Sequence, residues 1–434
     1  MSPSPLDLAA RPQGGVRAEP AGDAERPARI YNPFLPEFRR DPFPIYHAVR
    51  EQGPIHRFST FGGSQWLFTR YRHVRDYLGD TRFLVDDLPE LVSRKSPAAA
   101  ESAKVLTLAD CIARWLFFTD REIHHVARRA FGRMFTPGGV AQWRGQIEQN
   151  VRELLRPLRG CREFDLIAQI AAPLPAMTTL QMFGLPAGRE AELRSWATDM
   201  FRALFPPQSL ETYAQMGEVV REFSAYLRPL IDAARRGEGT GMLAELVRAT
   251  ADKGLDERTV DALVLMVISA GQDTVAGVLG NGMRALLLHP EQRALVWRDP
   301  ECIPGAVDEM LRYDTPVMGV ARRAGEDMII DGVALARGDR VNFAIAAANR
   351  DPEMFENPDA FELRRTVRSK ITFGVGAHFC LGAHLARLQV EVAVRALAEE
   401  FPALQLTDAS PQWRPTVLLR LLTALPVRVA APAP

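Results

Sequence analysis

Apolar residues recur at helical spacing along most of the chain, which predicts a mainly helical fold. Ile147, Val151 and Leu155 are one example, since residues four positions apart lie on the same side of a helix. The longest such pattern predicts a helix over residues 257–288, which at 1.5 Å per residue would be about 50 Å long. A helix of that length spans the whole core of a globular domain.

Short runs of β-type residues interrupt the helical pattern in two regions. Near the N-terminus, a glycine pair at 62 and 63 separates two predicted strands, 55–58 and 65–69. Further along, Asp331-Gly332 and Gly338-Asp339 favour turns between three more, 328–330, 333–335 and 340–344. The predicted fold class is therefore mainly α with small β-sheets, and residues 30–434 are expected to form a single large helical domain.

The first 29 residues are rich in Pro, Gly, Ala and Arg and contain no apolar stretch. This composition predicts a disordered leader and not a secretory signal. The longest apolar run, Ala262–Ala270, is much shorter than the roughly 18–20 residues of a membrane span. We therefore expect a cytoplasmic protein with no membrane span.

The charges of the chain balance, with 53 Lys+Arg against 53 Asp+Glu. A balanced chain lacks the excess of cations that binds nucleic acid, so we expect no nucleic-acid partner. The cysteines lie far apart, which excludes a CxxC zinc site and gives no sign of a disulfide framework. They are Cys111, Cys161, Cys302 and Cys380.

The segment Phe373–Gly382 carries the strongest chemical signal of the chain. It reads FGVGAHFCLG, a glycine-rich loop in which Cys380 stands at the start of a predicted helix. A cysteine there faces free backbone amides and the positive end of the helix dipole, and both favour a thiolate. Such a thiolate suits axial ligation of haem iron, whereas burial in a core is the commonest role of a lone cysteine.

This loop resembles the haem-binding loop of the cytochrome P-450 superfamily, FGxGxHxCxG, at every fixed position. The resemblance implies haem b as the cofactor, Cys380 as its metal ligand and His378 as a hydrogen-bond donor to a haem propionate. It also implies that the cofactor contacts the loop residues Phe373, Gly374 and Gly382.

Glu309 and Arg312 resemble the ExxR motif of the same family. Residues three apart share one face of a helix, so the two side chains can form a structural ion pair. The family commonly carries PxRF between this motif and the cysteine loop, and here Ala360 stands in place of that arginine. The candidates to replace it are Arg350, Arg364 and Arg365.

Residues 270–274 read AGQDT and resemble the family's AGx[DE]T, within the predicted long helix. The resemblance implies that the Thr274 hydroxyl donates to bound dioxygen and that Asp273 relays protons, a general-acid task. Ala270 and Gly271 are implied to lie against the haem. The glycines that follow, at 277, 280 and 282, call for an explanation because each costs about 0.5–1 kcal/mol in a helix. Tight helix packing and a groove for a flat ligand are the two explanations.

Residues 120–129 resemble the family's DPPEHxxxR, with both prolines replaced. The resemblance implies that His124 and Arg128 bind the haem propionates, and helix phase disfavours their neighbours His125 and Arg129. Arg322 is implied as a further propionate ligand by its position. Charge-assisted hydrogen bonds from arginine would offset the cost of burying two carboxylates.

The resemblance extends from about Tyr31 through nearly the whole chain and is to soluble bacterial members. It implies a monomer that receives electrons from NAD(P)H through a ferredoxin reductase and a ferredoxin. A basic docking surface and a solvated arginine face are the two interpretations of four arginines, Arg114, Arg121, Arg129 and Arg133.

The resemblance also implies a monooxygenase that inserts one oxygen atom from O2 by hydroxylation or epoxidation. Residues 83–116 and 194–227 resemble the family's substrate-covering regions and carry few charges, so we expect a moderately large apolar substrate, free or carrier-bound, from bacterial specialised metabolism. The candidate substrate contacts are Met266, Ser269, Val317, Met318, Leu418 and Leu419.

Two alternatives share the family's fold. One is a haem-thiolate peroxygenase or isomerase, which the pair Asp273 and Thr274 disfavours. The other is a catalytically inactive, carrier-docking relative, which the presence of Cys380 disfavours.

Overall fold

The structure is a computed structural model. It describes residues 31–60, 63–85, 87–94, 102–119, 122–204, 208–251, 256–366, 371–408 and 410–429. The predicted leader, residues 1–29, lies outside the described residues.

Helices account for most of the described chain, as the helical spacing of apolar residues predicts. In chain order they are α1 Pro36–Arg40, α2 Phe43–Glu51, α3 Tyr71–Leu78, α4 Leu88–Arg94, α5 Ser102–Ala113, α6 Glu122–Gly132, α7 Pro137–Ala141, α8 Arg144–Leu155, α9 Pro173–Phe183, α10 Glu190–Arg202, α11 Leu210–Arg235, α12 Gly241–Ala251, α13 Glu257–Leu288, α14 Pro290–Arg298, α15 Ile303–Tyr313, α16 Ile345–Ala348 and α17 Ala383–Glu400.

The strands are short and form small sheets beside the helices. They are β1 Ile55–Thr60, β2 Gly63–Phe68, β3 Phe83–Leu84, β4 Glu163–Asp165, β5 Val320–Ala324, β6 Met328–Ile330, β7 Val333–Leu335, β8 Arg340–Phe343, β9 Leu404–Leu406 and β10 Pro426–Val429. Their orders are β1-β2-β8-β5-β3, β4-β10-β9 and β6-β7. The largest sheet joins the two predicted β-regions, because β2 pairs with β8 in parallel with Gln65 opposite Arg340. The mainly helical fold with small sheets is confirmed.

Helix α13 begins and ends at the predicted residues. Its first turn is capped by Asp256, whose carboxylate accepts a hydrogen bond from the Thr259 amide at 2.9 Å. By length and composition this helix could cross a membrane, but 72% of its most apolar window is buried inside the protein. It is therefore the central helix of the core.

Tight packing explains the three glycines in the second half of α13. A Cβ atom at Gly277 would lie 2.6 Å from Cδ2 of Leu421, and one at Gly282 would lie 2.6 Å from Sδ of Met310. Gly280 is equally crowded. The cost of these glycines in the helix is offset by the close approach of neighbouring elements, so the alternative of a ligand groove does not apply to them.

The predicted ion pair between Glu309 and Arg312 is present in α15 and buried. Arg312 Nε and Nη2 donate to the Glu309 carboxylate at 2.7 and 2.8 Å, and the two side chains are 4% exposed or less. Desolvating both charges is costly unless other polar groups satisfy them. Arg312 meets this condition by donating to the carbonyls of Asn349, Pro358 and Ala360 at 2.7–3.0 Å.

Arg365 takes the place of the arginine that is missing at position 360. Its Nε lies 3.4 Å from a carboxylate oxygen of Glu309, and its Nη2 donates to the carbonyl of Ala360 at 3.1 Å. Its side chain is buried. Arg364 is exposed, and Arg350 bonds to groups outside this network.

The contact between α5 and α11 predicts that a methyl group at Gly217 cannot be accommodated. A Cβ atom there would overlap the backbone carbonyl of Lys104, and backbone cannot rotate away as a side chain can. We expect Gly217→Ala to lower the free energy of unfolding by about 1–3 kcal/mol in urea. The control is Gly145→Ala in α8, where a Cβ meets nothing within 4 Å and the change should be neutral or stabilising. Equal unfolding midpoints for the two variants would contradict the close contact.

Loss of the Arg312 side chain should destabilise the fold strongly. Arg312→Ala leaves the Glu309 carboxylate buried without its main partner, so we expect a loss of about 3–5 kcal/mol in urea unfolding. The control is Arg221→Ala, which removes an exposed partner of the partly exposed Glu218 at the same i, i+3 spacing on a helix surface. A loss as small as that of the exposed pair would show that the buried pair does not support the fold.

Candidate active site

One cavity of about 930 Å³ brings together sixteen of the predicted site residues from distant parts of the chain. The walls come from α6, α13, the segment before α17 and the C-terminal region. The predicted residues that line it are His124, Arg128, Met266, Ala270, Gly271, Asp273, Thr274, Val317, Arg322, Phe373, Gly374, His378, Cys380, Gly382, Leu418 and Leu419.

Glycine shapes the loop that carries Cys380. Gly374 and Gly376 have φ values of +74° and +70°, in the left-handed region that side chains other than glycine rarely adopt. The loop closes where the Cys380 amide donates to the carbonyl of Phe373 at 2.8 Å. The Cys380 side chain lines the cavity, three residues before α17 begins.

Burial raises the pKa of the Cys380 thiol. A hydrogen bond from the Gly382 amide and the positive charges of Arg128 and Arg387 lower it, but by less. In the chain alone, desolvation outweighs these influences, which favour the thiolate. A bound metal cation would reverse the balance, since the ligand is the thiolate and metal binding releases its proton.

The face of α13 opposite the loop carries the predicted acid and alcohol. The Thr274 hydroxyl donates to the carbonyl of Ala270 at 2.7 Å, one turn earlier in the helix. Asp273 accepts a hydrogen bond from Nη1 of Arg414 at 3.0 Å. Gly271 differs from the later glycines of the helix, because a Cβ there would meet only the Thr179 hydroxyl, at 4.0 Å.

Cationic and imidazole side chains gather at one end of the cavity. The rings of His124 and His378 lie 4.5 Å apart between centroids, with Arg128 and Arg322 lining the same space. Burial lowers the pKa of Arg128, and this half-buried guanidinium makes no ion pair with any carboxylate of the described residues. These groups suit a ligand with an apolar body and exposed carboxylates.

The residues present fit haem. The loop offers a sulfur as metal ligand, and the cations offer partners for two propionates. The plane of the group requires room beside the backbone, and a Cβ at Gly382 would meet nothing within 4 Å. His125 and Arg129, which helix phase disfavours, are exposed at the surface.

The predictions for Ser269 and Met318 are wrong, because neither side chain lines the cavity. The cavity face of α13 follows Met266, Ala270 and Thr274 at i, i+4 spacing, and Ser269 lies beside this stripe with 1% exposure. Met318 lies in extended backbone, where successive side chains alternate. Its neighbours on both sides line the cavity, so the Met318 side chain points away from it. It packs instead in a hydrophobic cluster that includes Phe58 and Leu67.

Sequence reasoning missed several wall residues. Arg414 is the most important, since a lone arginine far along the chain carries no signal that it contacts Asp273. The first sheet contributes Gln65 and Asn342, and helix α9, which is apolar on most sides, contributes Met182 and Phe183. Only the folded topology brings these segments together.

The four arginines considered for a docking surface differ in their surroundings. Arg114 is held by Asp110 and Asp256, each at 3.0 Å, so its charge is already paired. Arg129 and Arg133 are exposed. Arg121 lies outside the described residues.

Known proteins resemble this chain over nearly its whole length. The Cytochrome P450 family model matches residues 302–422. The chain is 33% identical to the polyketide biosynthesis cytochrome P450 PksS of Bacillus subtilis (strain 168), covering 92% of this chain and 99% of that protein. It is also 33% identical to the 6-deoxyerythronolide B hydroxylase of Saccharopolyspora erythraea, covering 91% of this chain and 99% of that protein.

A solved structure of P450BioI, in complex with an acyl carrier protein ligated to hexadec-9Z-enoic acid, superposes with a TM-score of 0.84. It shares 29% sequence identity and covers 91% of this chain and all of that one. The sequence identity over nearly the full length, the fold and the cysteine loop lead to one conclusion. The chain belongs to the cytochrome P450 family of oxidoreductases.

Proposed function

We propose that this chain is a haem-thiolate monooxygenase acting on a moderately large apolar molecule of bacterial specialised metabolism. The observation that carries the proposal is the pairing, across one cavity, of Cys380 with Asp273 and Thr274. A peroxygenase has no need of an acid and an alcohol that deliver protons, which favours a dioxygen-dependent reaction.

The proposed reaction consumes two protons, and the chain has groups placed to supply them. In balanced form, R–H, O2, two electrons and two protons give R–OH and water; with an alkene the product is an epoxide. Haem, when bound, supplies the metal at which dioxygen is reduced. Thr274 donates a proton at its hydroxyl, Asp273 replenishes it from solvent, and Cys380 holds the metal.

The remaining site residues hold the cofactor and exclude water. We assign propionate binding to His124, Arg128, Arg322 and His378, by analogy with the family motifs. Apolar walls around the cavity keep bulk water from the reacting groups, which strengthens the hydrogen bonds inside. These walls include Phe117, Met182, Phe201, Met266 and Leu419.

The substrate class rests on the walls and on the relatives. The cavity holds haem as well as substrate, and its mostly apolar walls favour an apolar molecule such as a macrolactone or a long acyl chain. The relatives named above include a hydroxylase of 6-deoxyerythronolide B and a protein that binds a carrier-linked fatty acid.

A screen would compare free 6-deoxyerythronolide B, free hexadec-9Z-enoic acid and the same acid on an acyl carrier protein, measuring oxygenated product by mass spectrometry. If only the carrier-linked acid gave oxygenated product, the substrate would be carrier-bound.

We further propose that a ferredoxin and its reductase deliver electrons from NAD(P)H to this protein in the cytoplasm, and that it acts as a monomer. Among the described residues, exposed Arg129 and Arg133 are the candidates for contact with an acidic ferredoxin. Weaker reduction of Arg133→Glu by ferredoxin, with normal reduction by dithionite, would support this docking surface.

Cys380→Ala should abolish the red-shifted Soret band of the reduced, carbon-monoxide-bound protein, because that band requires a thiolate ligand. Cys161→Ala changes an exposed cysteine outside the cavity and should keep the band. The measurement is a difference spectrum of haem-loaded protein after dithionite reduction. A haem-loaded, unmodified protein without the band would contradict the proposed function.

Thr274→Ala should keep the thiolate band but divert oxygen to hydrogen peroxide. Because proton delivery is impaired, product per NAD(P)H should fall by about tenfold or more, with a matching rise in peroxide. Thr250→Ala in α12 is the matched control, since Thr250 also donates to a carbonyl four residues earlier, at 2.7 Å, but lies away from the cavity. Unchanged product yield in Thr274→Ala would remove the hydroxyl from the proposed proton route.

A further inference from the structure

The C-terminal hairpin, residues 412–423, contacts both the cavity and the predicted acid. Its two arms are joined where the Arg414 amide donates to the carbonyl of Leu421 at 2.8 Å. Its tip, Leu418 and Leu419, forms part of the cavity wall. The tip is fixed to the segment that precedes β5, because the Met318 amide donates to the carbonyl of Leu418 at 2.9 Å.

The hairpin rests on α13 one turn beyond the acid. Gly277 follows Asp273 by four residues and shares its face of the helix. Because Gly277 has no side chain, Leu421 packs directly on the helix backbone there, where a Cβ would lie 2.6 Å away. This close approach brings Arg414 within reach of Asp273.

The contact between Arg414 and Asp273 is a shielded ion pair. Nη1 of Arg414 donates to Oδ1 of Asp273 at 3.0 Å, and the two side chains are 31% and 16% exposed. A charge-assisted bond from a guanidinium attached to a hydrogen-bonded hairpin fixes the direction of the carboxylate. It also orders the acid next to Thr274, whose hydroxyl is bonded to the helix backbone.

We propose that Arg414 is a positioning residue for proton delivery, which holds the Asp273 carboxylate between solvent and Thr274. The inference rests on the monooxygenase function proposed above. Since Leu418 and Leu419 belong to the same hairpin, the orientation of the acid is tied to the wall that contacts the substrate.

The test compares Arg414→Gln, which removes the charge, with Arg414→Lys, which keeps it. Arg428→Gln is the matched control, because Arg428 lies on β10 of the same C-terminal segment and its side chain bonds to Gln405 at 3.4 Å. All variants are full-length and haem-loaded, with electrons from ferredoxin and its reductase. The substrate is whichever of 6-deoxyerythronolide B and hexadec-9Z-enoic acid the unmodified protein oxidises more rapidly.

We expect Arg414→Gln to lower product per NAD(P)H by about threefold or more, with a matching rise in peroxide and a larger solvent deuterium isotope effect. Substrate affinity and the carbon-monoxide spectrum should not change. Arg414→Lys should recover most of the yield, and Arg428→Gln should behave as the unmodified protein does.

Thermal unfolding gives a readout that does not depend on turnover. Arg414→Gln should lower the unfolding midpoint in the unmodified background and lower it less in an Asp273→Asn background, because the ion pair is then already lost. Equal shifts in both backgrounds would show that the two side chains do not interact.

Three further results would overturn the proposal, and they are distinguishable. If Arg414→Gln gave the same product per NAD(P)H and the same solvent isotope effect as the unmodified protein, this inference would be overturned and the proposed function would stand. Loss of substrate affinity in Arg414→Gln, with normal coupling of the remaining turnover, would assign the residue to substrate binding instead. Absence of the thiolate band in the unmodified protein would overturn the proposed function and this inference with it.

Discussion

The buried ion pair between Glu309 and Arg312 is the interaction on which the cysteine loop depends. Arg312 donates to carbonyls of a segment that starts at Asn349. The Asn349 side chain in turn donates to the hydroxyl of Thr372 at 3.1 Å, and Thr372 lies two residues before Gly374. A continuous set of hydrogen bonds therefore runs from α15 to the loop. Two charges are costly to bury, and they are tolerated because nearly every donor and acceptor of the pair is used.

Helix α13 imposes the second constraint, since it serves as core helix and as wall of the site. Its crowded glycines let other elements lie against the backbone, and Gly271 instead leaves volume open. The same residue type therefore serves opposite purposes along one helix. The difference is set by whether an element of the protein or the cavity lies opposite.

Local signals in the sequence account for much of the fold and site. The limits of α13 follow from apolar spacing and a capping aspartate, and the cysteine loop is visible because ten consecutive residues form one motif. Ser269 and Met318 were misplaced because a family position does not fix on which side of the backbone a side chain lies. Arg365 and Arg414 could not be chosen, since each meets its partner only through tertiary contacts across 56 or 141 positions.

The seat of the hairpin on Gly277 has a consequence for how relatives of this protein can diverge. A substitution at the tip that reshapes the cavity would also shift the arm that carries Arg414. Substrate selectivity and the fraction of oxygen that reaches product would then change together. Mutations there are expected to show epistasis with positions on α13 and not simple additivity. If Arg414 positions Asp273 as proposed, a lineage acquiring a bulkier substrate would require compensating changes near Asp273 before it regained efficient use of its reducing equivalents.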